Sequence, residues 1–354
     1  MIVVAGEALI DLVPVRDQVP ARDQVPARDQ AVRGQLRRFD AMLGGASFNV
    51  AIGLARLGQQ TSFLGRLGSD AFGRLLTAQL TAEGVDLSMA AHATEATTLG
   101  VTTLDGGGKA EYAFYASDTA DWQWTEAEVP RELPVQVRAL YMGGVALRIL
   151  PGAGVLEALM LRTQLRGGAL VFYDPNVRSG RGFVAAAERD RVERQLELAH
   201  VIKASYDDIA LLYPGREYRE VACEWQRKTQ GLVIVTLGPK GAYAITPGTQ
   251  EINIPPVDAE VVDTIGAGDS FAAAMLDGLI NELAPQAEST ADPMADPVAD
   301  PMVGLRQIAD DTIRHLLERA TVSAAYTCGR AGAESPDART LADLMRRPPT
   351  RDLP

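Results

Sequence analysis

Cysteine is scarce in this chain, with only Cys223 and Cys328 among 354 residues. Two thiols cannot build a disulfide framework or a cysteine-ligated zinc cluster, and so few of them suit a reducing cytoplasm. The three histidines are too few for a metal centre built on imidazole. Positive charge is also short: 34 Lys and Arg stand against 46 Asp and Glu, a net charge of -12 with a pI near 4.9. Nucleic-acid binding depends on basic surface, so a polyanionic partner is disfavoured and any phosphate site has to be local. No apolar run approaches the roughly 18 residues of a membrane span, and the opening Met-Ile-Val-Val-Ala-Gly-Glu-Ala has no basic n-region. Neither membrane insertion nor secretion is expected.

What is present points to a large α/β domain. Hydrophobic residues make up 47% of the chain and aromatics 6%, enough to bury one full core. Ile2–Ala5, Ala139–Met142, Ala169–Tyr173 and Leu232–Thr236 read as buried strands of a parallel sheet, and Thr61–Leu64 as a strand followed by a turn and a helix start. The stretches from about Gly154 to Arg166, Val184 to Leu198 and Leu305 to Cys328 read as helices. Leu99–Thr103 and Glu111–Tyr115 alternate like paired strands around the turn Asp105-Gly-Gly-Gly108. Two tandem repeats interrupt this order. Val13 to Gln30 holds three near-identical hexamers rich in Pro and charge, and Ala291 to Met302 repeats Ala-Asp-Pro. Neither can bury much apolar surface, so both are expected to be surface loops.

The most informative stretch is Asp263-Thr-Ile-Gly-Ala-Gly-Asp-Ser-Phe-Ala272, which follows the β-like run Ala259–Val262. It opens an apolar segment, Ser270–Ile280, whose Phe271, Met275 and Leu279 recur on one helix face. Gly266 and Gly268 free the backbone to turn its N–H groups towards one point, and the start of the helix adds its positive dipole end. Such a turn can hold an anion. Asp269 at its mouth is placed to accept a proton from a hydroxyl that attacks a phosphoryl group. Gly-Ala-Gly-Asp on its own fits a tight turn with an ordinary N-cap Asp equally well. Gly44-Gly-Ala-Ser-Phe-Asn-Val-Ala51 is a second stretch of this kind: a glycine pair that allows close approach to a ligand, then a small-residue helix with one amide, Asn49.

Taken together, Asp263-Thr-x-Gly-Ala-Gly-Asp-Ser-Phe271 and Gly44-Gly-Ala-x-x-Asn-Val-Ala51 resemble the two signatures of the ribokinase-like (PfkB) carbohydrate kinases. The opening Gly6-Glu-Ala-Leu-Ile-Asp-Leu-Val-Pro14 is similar to fructokinase-type members. The resemblance implies a three-layer α/β/α sandwich with a mostly parallel central sheet and a small β lid. One domain would span about 1–345, with lid elements near 12–43 and 97–118, insertions near 13–30 and 288–302, and a tail at 346–354. It implies an ATP-dependent kinase acting on a primary hydroxyl of a sugar, cytoplasmic, with small-molecule partners only; the lid often serves dimerisation in the family.

The resemblance also assigns residues. Asp269 would be the base and Gly266, Ala267 and Gly268 the anion hole. Asp11, brought out by the first strand, would hold sugar hydroxyls with Gly44, Gly45, Asn49 and Tyr115. Asp174-Pro-Asn-Val-Arg178 is similar to the family's Asp-x-Asn-x-Arg and places Asn176 and Arg178 near the transferred phosphate. In Val201-Ile-Lys-Ala-Ser-Tyr-Asp-Asp208, Ser205 and Asp208 stand in for the family's Asn-x-x-Glu. Asp208 would hold Mg²⁺ through water, while Lys203 and Ser205 would face ATP. Thr236, Gly238 and Gly241 would form the ATP turn, and Asp263 and Gly332 would give oxygens to a monovalent cation such as K⁺. The chain has Ala116 where fructokinases usually carry an Arg, although Ala120-Asp121 is kept.

Fructose is the first-ranked substrate. Ribokinase, 2-keto-3-deoxygluconate kinase and nucleoside kinase activities are alternatives within the chemistry. A catalytically silent sugar-binding regulator is a different class, which Asp269 argues against. A dinucleotide-binding oxidoreductase lacks a Gly-x-Gly-x-x-Gly after the first strand.

Overall fold

Alternation along the strands already dictates the layers. In β1 (Ile2–Ala5), Ile2 and Val4 face one apolar cluster while Val3 and Ala5 face another, and all four are buried. A strand covered on both faces reads as an unbroken apolar run, the signature of a parallel sheet between helical layers. The computed structural model describes residues 1–14, 38–104, 110–178, 183–288 and 300–346. Both repeat insertions fall largely outside these, as do the turn at 105–108 and all but the first residue of the 346–354 tail.

After β1 come β2 (Leu9–Pro14), β3 (Phe39–Gly44), α1 (Ala46–Arg56), β4 (Thr61–Leu64), β5 (Arg66–Gly68), α2 (Ala71–Ala82) and β6 (Ala91–Ala93). The middle of the chain supplies β7 (Leu99–Leu104), β8 (Ala110–Tyr115), β9 (Ala139–Gly143), α3 (Gly152–Arg166), β10 (Leu170–Asp174) and α4 (Ala185–Leu196). Next are β11 (Val201–Ser205), α5 (Tyr206–Leu212), α6 (Tyr218–Thr229), β12 (Leu232–Thr236), β13 (Ala242–Ile245) and β14 (Glu251–Ile254). The chain closes with α7 (Ala267–Glu288), α8 (Pro301–Gln307), α9 (Asp310–Cys328) and α10 (Ala338–Arg346).

Eight strands form the main sheet in the order β14-β13-β12-β11-β10-β9-β1-β4, parallel from β12 to β4 with an antiparallel edge at β13 and β14. Helices α1, α2, α7, α8, α9 and α10 bury their apolar sides on one face, and α3, α4, α5 and α6 on the other. A separate four-stranded sheet, β3-β2-β7-β8, is the lid. This is the three-layer sandwich with a β lid expected from the sequence.

Several local expectations change. Ala259–Val262 is not a strand: Val261 and Val262 are 64% and 61% exposed, and the Val262 and Asp263 N–H groups both donate to the Cys328 carbonyl. Asp11 is not carried by the first strand but lies within β2 of the lid, which starts at Leu9 rather than near residue 12. The helix read from Leu305 to Cys328 is two helices, broken where Ile308 and Ala309 turn extended. The helix after the glycine turn runs from Ala267 to Glu288, longer at both ends than the Ser270–Ile280 segment.

Candidate functional site

Strands β1, β9, β10, β11 and β12 all point their carboxyl ends to one side of the sheet, where ligands of open α/β sheets bind. The first turn of α7 reaches over this edge. Gly266 adopts φ +73°, and a Cβ there would lie 2.3 Å from the Ala333 Cβ, so the left-handed turn demands glycine both for conformation and for space. The Ser270 N–H returns to the Gly266 carbonyl at 2.8 Å, and the Ser270 hydroxyl meets that of Ser323 on α9 at 2.7 Å, which ties the helix start to its neighbour.

Asp269 is buried in that first turn, and its Oδ2 accepts a hydrogen bond from Asn49 Nδ2 at 2.8 Å. The two signatures, far apart in sequence, thus meet side chain to side chain. Burial pushes the Asp269 carboxyl above its ordinary range, opposed by the Asn49 bond and by the charges of Lys203 and Arg178. A raised carboxylate is a stronger proton acceptor, as a general base requires.

Under the turn lies a buried ion pair. Lys203 Nζ is 2.7 Å from Asp174 Oδ2, and a Cβ on Gly268 would lie 3.1 Å from that same Nζ. An anion held at the turn would therefore have an ammonium beneath it. Burial works against the Lys203 charge, yet Asp174, Asp208 and Asp269 carry its pKa upward, so the lysine stays protonated. Burial raises Asp174 to about 6 despite Lys203. Asn176, at φ +41°, donates its N–H to Asp174 Oδ1 at 3.2 Å, and the positive charge of Arg178 acts on both Asp11 and Asp269.

From the lid, Asp11 closes the other side. Its carboxylate sits between glycines of the two flanking strands: a Cβ on Gly44 would come within 2.5 Å of Oδ2, and one on Gly100 within 2.6 Å of Oδ1. Burial lifts Asp11 to about 6, with Arg178 pulling the other way. Gly45 is the N-cap of α1, directly before the helix that bears Asn49. Tyr115 is not brought in. Asp11, Gly100 and Phe114 are register partners on one face of the lid, so Tyr115 projects from the opposite face and is 65% exposed. Phe114, next in sequence, is the aromatic that shares the Asp11 face. Ala116 packs against an apolar cluster.

The remaining expected residues are placed as follows. Thr236 ends β12 half-buried, and Gly238 and Gly241 bracket a 3₁₀ turn closed by the Leu237 N–H on the Gly241 carbonyl at 2.8 Å. Asp208 and Ser205 form a capping box on α5: Oδ2 accepts from the Ser205 N–H and hydroxyl, each at 2.7 Å, and Oδ1 accepts from the Val177 N–H at 2.7 Å. These bonds use three of the roughly four acceptor positions of the carboxylate and leave one on Oδ1. Among the described residues no group of three or more His, Cys, Asp or Glu could hold a metal ion. Asp263 and Gly332 do meet, but through the Gly332 N–H, which donates to Asp263 Oδ2 at 3.0 Å; Oδ1 accepts from the Ile265 N–H.

The sequence reading gave no role to Glu7. It is buried and joins three segments of this region, and nothing in local sequence distinguishes it from a solvated loop carboxylate.

Comparison with known proteins points the same way as this geometry. The model of the pfkB family carbohydrate kinases matches residues 1–340. A fructokinase of Rhizobium leguminosarum bv. trifolii is 32% identical over 279 residues, 79% of this chain and 79% of that protein. The fructokinase of Xylella fastidiosa, solved with bound ATP, superimposes with a TM-score of 0.77 at 25% identity over 98% of each chain. A double mutant of the Vibrio cholerae fructokinase, solved with fructose, ADP and a potassium ion, gives 0.73 at 26% identity, covering 97% of this chain and 96% of that one.

Proposed function

Since this chain belongs to the pfkB family of carbohydrate kinases, we propose that it transfers the γ-phosphoryl group of ATP to a primary hydroxyl of fructose. The observation that carries the chemistry is the buried Asp269, held by Asn49 and standing in the first turn of α7 above Lys203. The fructose assignment rests on relatives named fructokinases, at about a third identity.

In this reading Asp11, Gly44, Gly45, Asn49, Asn176 and Arg178 surround the sugar. Its hydroxyl oxygen attacks the γ-phosphorus, the proton passes to the Asp269 carboxylate, and the bond to the ADP oxygen breaks. The N–H groups of the Gly266–Gly268 turn and Lys203 stabilise the charge that develops on the phosphoryl oxygens. Thr236, Gly238 and Gly241 line the nucleotide side. Mg²⁺ bound with ATP would offset phosphate charge, and Asp208 would help to hold it through water.

Substrate choice is tested with a coupled ADP-release assay over fructose, ribose, 2-keto-3-deoxygluconate, adenosine and glucose. Fructose is expected to give the highest kcat/KM. Ala116 leaves out an arginine that could grip a carboxylate, which weighs against ketodeoxygluconate. Another sugar ahead by about tenfold, some 1.4 kcal/mol in transition-state binding, overturns fructose and leaves the kinase standing. No turnover on any of them favours a silent sugar binder.

The pH profile is a second check. Asp269 and Asp11 both act as carboxylates, and burial raises both, Asp11 to about 6. Activity is then lost as pH falls through these raised values. The acid limb of kcat/KM is expected near or above pH 6 instead of the roughly pH 4 of ordinary carboxylates. A profile flat down to pH 5 contradicts this placement of the two groups.

A further inference from the structure

The buried carboxylates Glu7 and Asp121 stand outside the chemistry just described, yet they grip the corner where the chain leaves the main sheet for the lid. Glu7 Oε1 accepts the Ala46 N–H at 3.0 Å and Oε2 accepts the Ala146 N–H at 3.1 Å. Asp121 Oδ1 accepts the Ala8 N–H at 3.0 Å. Ala46 is the first residue of α1, Ala146 lies in the 3₁₀ turn after β9, and Ala8 immediately precedes β2. Both side chains are 1% exposed. Two carboxyl groups thus pin three backbone segments, of which the start of α1 carries Asn49 next to Gly45 and the residue before β2 leads to Asp11.

We propose that Glu7 and Asp121 are positioning residues for the sugar half of the site, fixing the lid strand of Asp11 and the start of the Asn49 helix relative to the main sheet. This rests on the kinase reading of the site. The two groups are not equivalent. Each Glu7 oxygen takes an N–H donor, so Glu7 acts as the carboxylate. Among the described residues Asp121 Oδ2 accepts no N–H, so Asp121 has an oxygen free of backbone donors where Glu7 has none. Burial raises both to about 7, with the Asp121 charge adding to the rise at Glu7 and the Thr98 hydroxyl and the Ala8 N–H opposing it at Asp121. Arg66 on β5 acts on the Asp121 side, with its Nη1 on the Ala120 carbonyl at 2.8 Å.

The asymmetry predicts opposite tolerances. In Glu7→Gln a single amide oxygen must serve two N–H donors, and the NH₂ faces the other donor, leaving it buried and unsatisfied. Asp121→Asn can keep its oxygen on Ala8 and turn the NH₂ toward the Thr98 hydroxyl, which can accept from it, whereas Asp121→Ala releases Ala8.

Steady-state kinetics on fructose and ATP, with thermal melting and amide exchange, test this. Glu7→Gln and Asp121→Ala are expected to raise the fructose KM by about tenfold, the factor that one unsatisfied buried donor implies. The ATP KM and kcat should stay within about threefold, the signature of lost uniform binding of one substrate. Asp121→Asn should restore the fructose KM. Exchange of the Ala46 and Ala146 amides should speed up in Glu7→Gln, and that readout holds even if fructose proves not to be the substrate. A folded Glu7→Gln protein with unchanged fructose KM and protected amides overturns the proposal, as does an equal rise in both KM values. If Glu7→Gln does not fold, the Asp121→Ala and Asp121→Asn pair decides, and failure of Asn to rescue overturns it.

Discussion

Asp269→Asn is expected to lower kcat by about 10²-fold or more, the scale of a lost general base, while leaving the KM values for ATP and fructose near those of the unmodified protein. The amide retains an oxygen that can accept the Asn49 Nδ2 bond, so the contact between α1 and α7 survives the substitution. What disappears is the proton acceptor. Stability supplies an independent signature. The folded-state pKa of Asp269 is raised by burial, so its contribution to stability is present at low pH and is lost as pH rises through that raised value. The Asn variant has no charge to desolvate, and its melting temperature should therefore match or exceed that of the wild type at pH 8, with no such gain at pH 4. A kcat within about tenfold of wild type, well short of a lost base, would assign the base elsewhere.

The second large effect is on the fold itself. Lys203→Met should destabilise the protein by about 3–5 kcal/mol, because it strands Asp174 as a buried carboxylate without its counter-ion. The Lys203 and Asp174 side chains are 5% and 0% exposed, so water cannot take over the missing ammonium. Among the described residues only the Asn176 N–H, at 3.2 Å from Oδ1, would remain as a donor to that carboxylate. Its pKa would climb further, and the destabilisation should grow as pH rises above the unfolded carboxylate value. Urea titration at pH 5 and pH 8 measures this. The double variant Lys203→Met with Asp174→Asn should recover part of the loss, since no unpaired charge is then buried. A cost below about 1 kcal/mol, the range of an exposed pair, would mean that the pair contributes little. Because Lys203 lies beneath Gly268, the single variant should also show reduced kcat on whatever folded protein remains.

Much of the architecture is legible in the amino-acid sequence because its cause is local. Apolar runs such as Ile2–Ala5 and Leu232–Thr236 have to be strands with both faces covered, and all nine of these residues except Thr236 are buried. Gly266 is legible for the same reason: only glycine adopts its φ without strain, and the Asp269 that follows it marks the helix start. From these residue types the sequence alone determined an α/β chain with a glycine turn that opens a helix and a carboxylate in its first turn.

Tertiary structure decided the rest, where the cause is contact between distant segments. Periodicity showed that Phe114 and Tyr115 point to opposite faces but not which face looks inward; the register of β8 against β7 and β2 set Phe114 beside Asp11. The β-like composition at Ala259–Val262 pairs with no strand among the described residues, and the N–H groups of Val262 and the following Asp263 go to the Cys328 carbonyl instead. Asp208 completes the capping box of α5 with Ser205 and also takes the Val177 N–H, a contact 31 residues away that only the fold supplies. Glu7 was unreadable for a like reason: its partners Ala46 and Ala146 are 39 and 139 residues away, and a buried carboxylate is distinguished from a solvated one only by the donors that the fold brings to it.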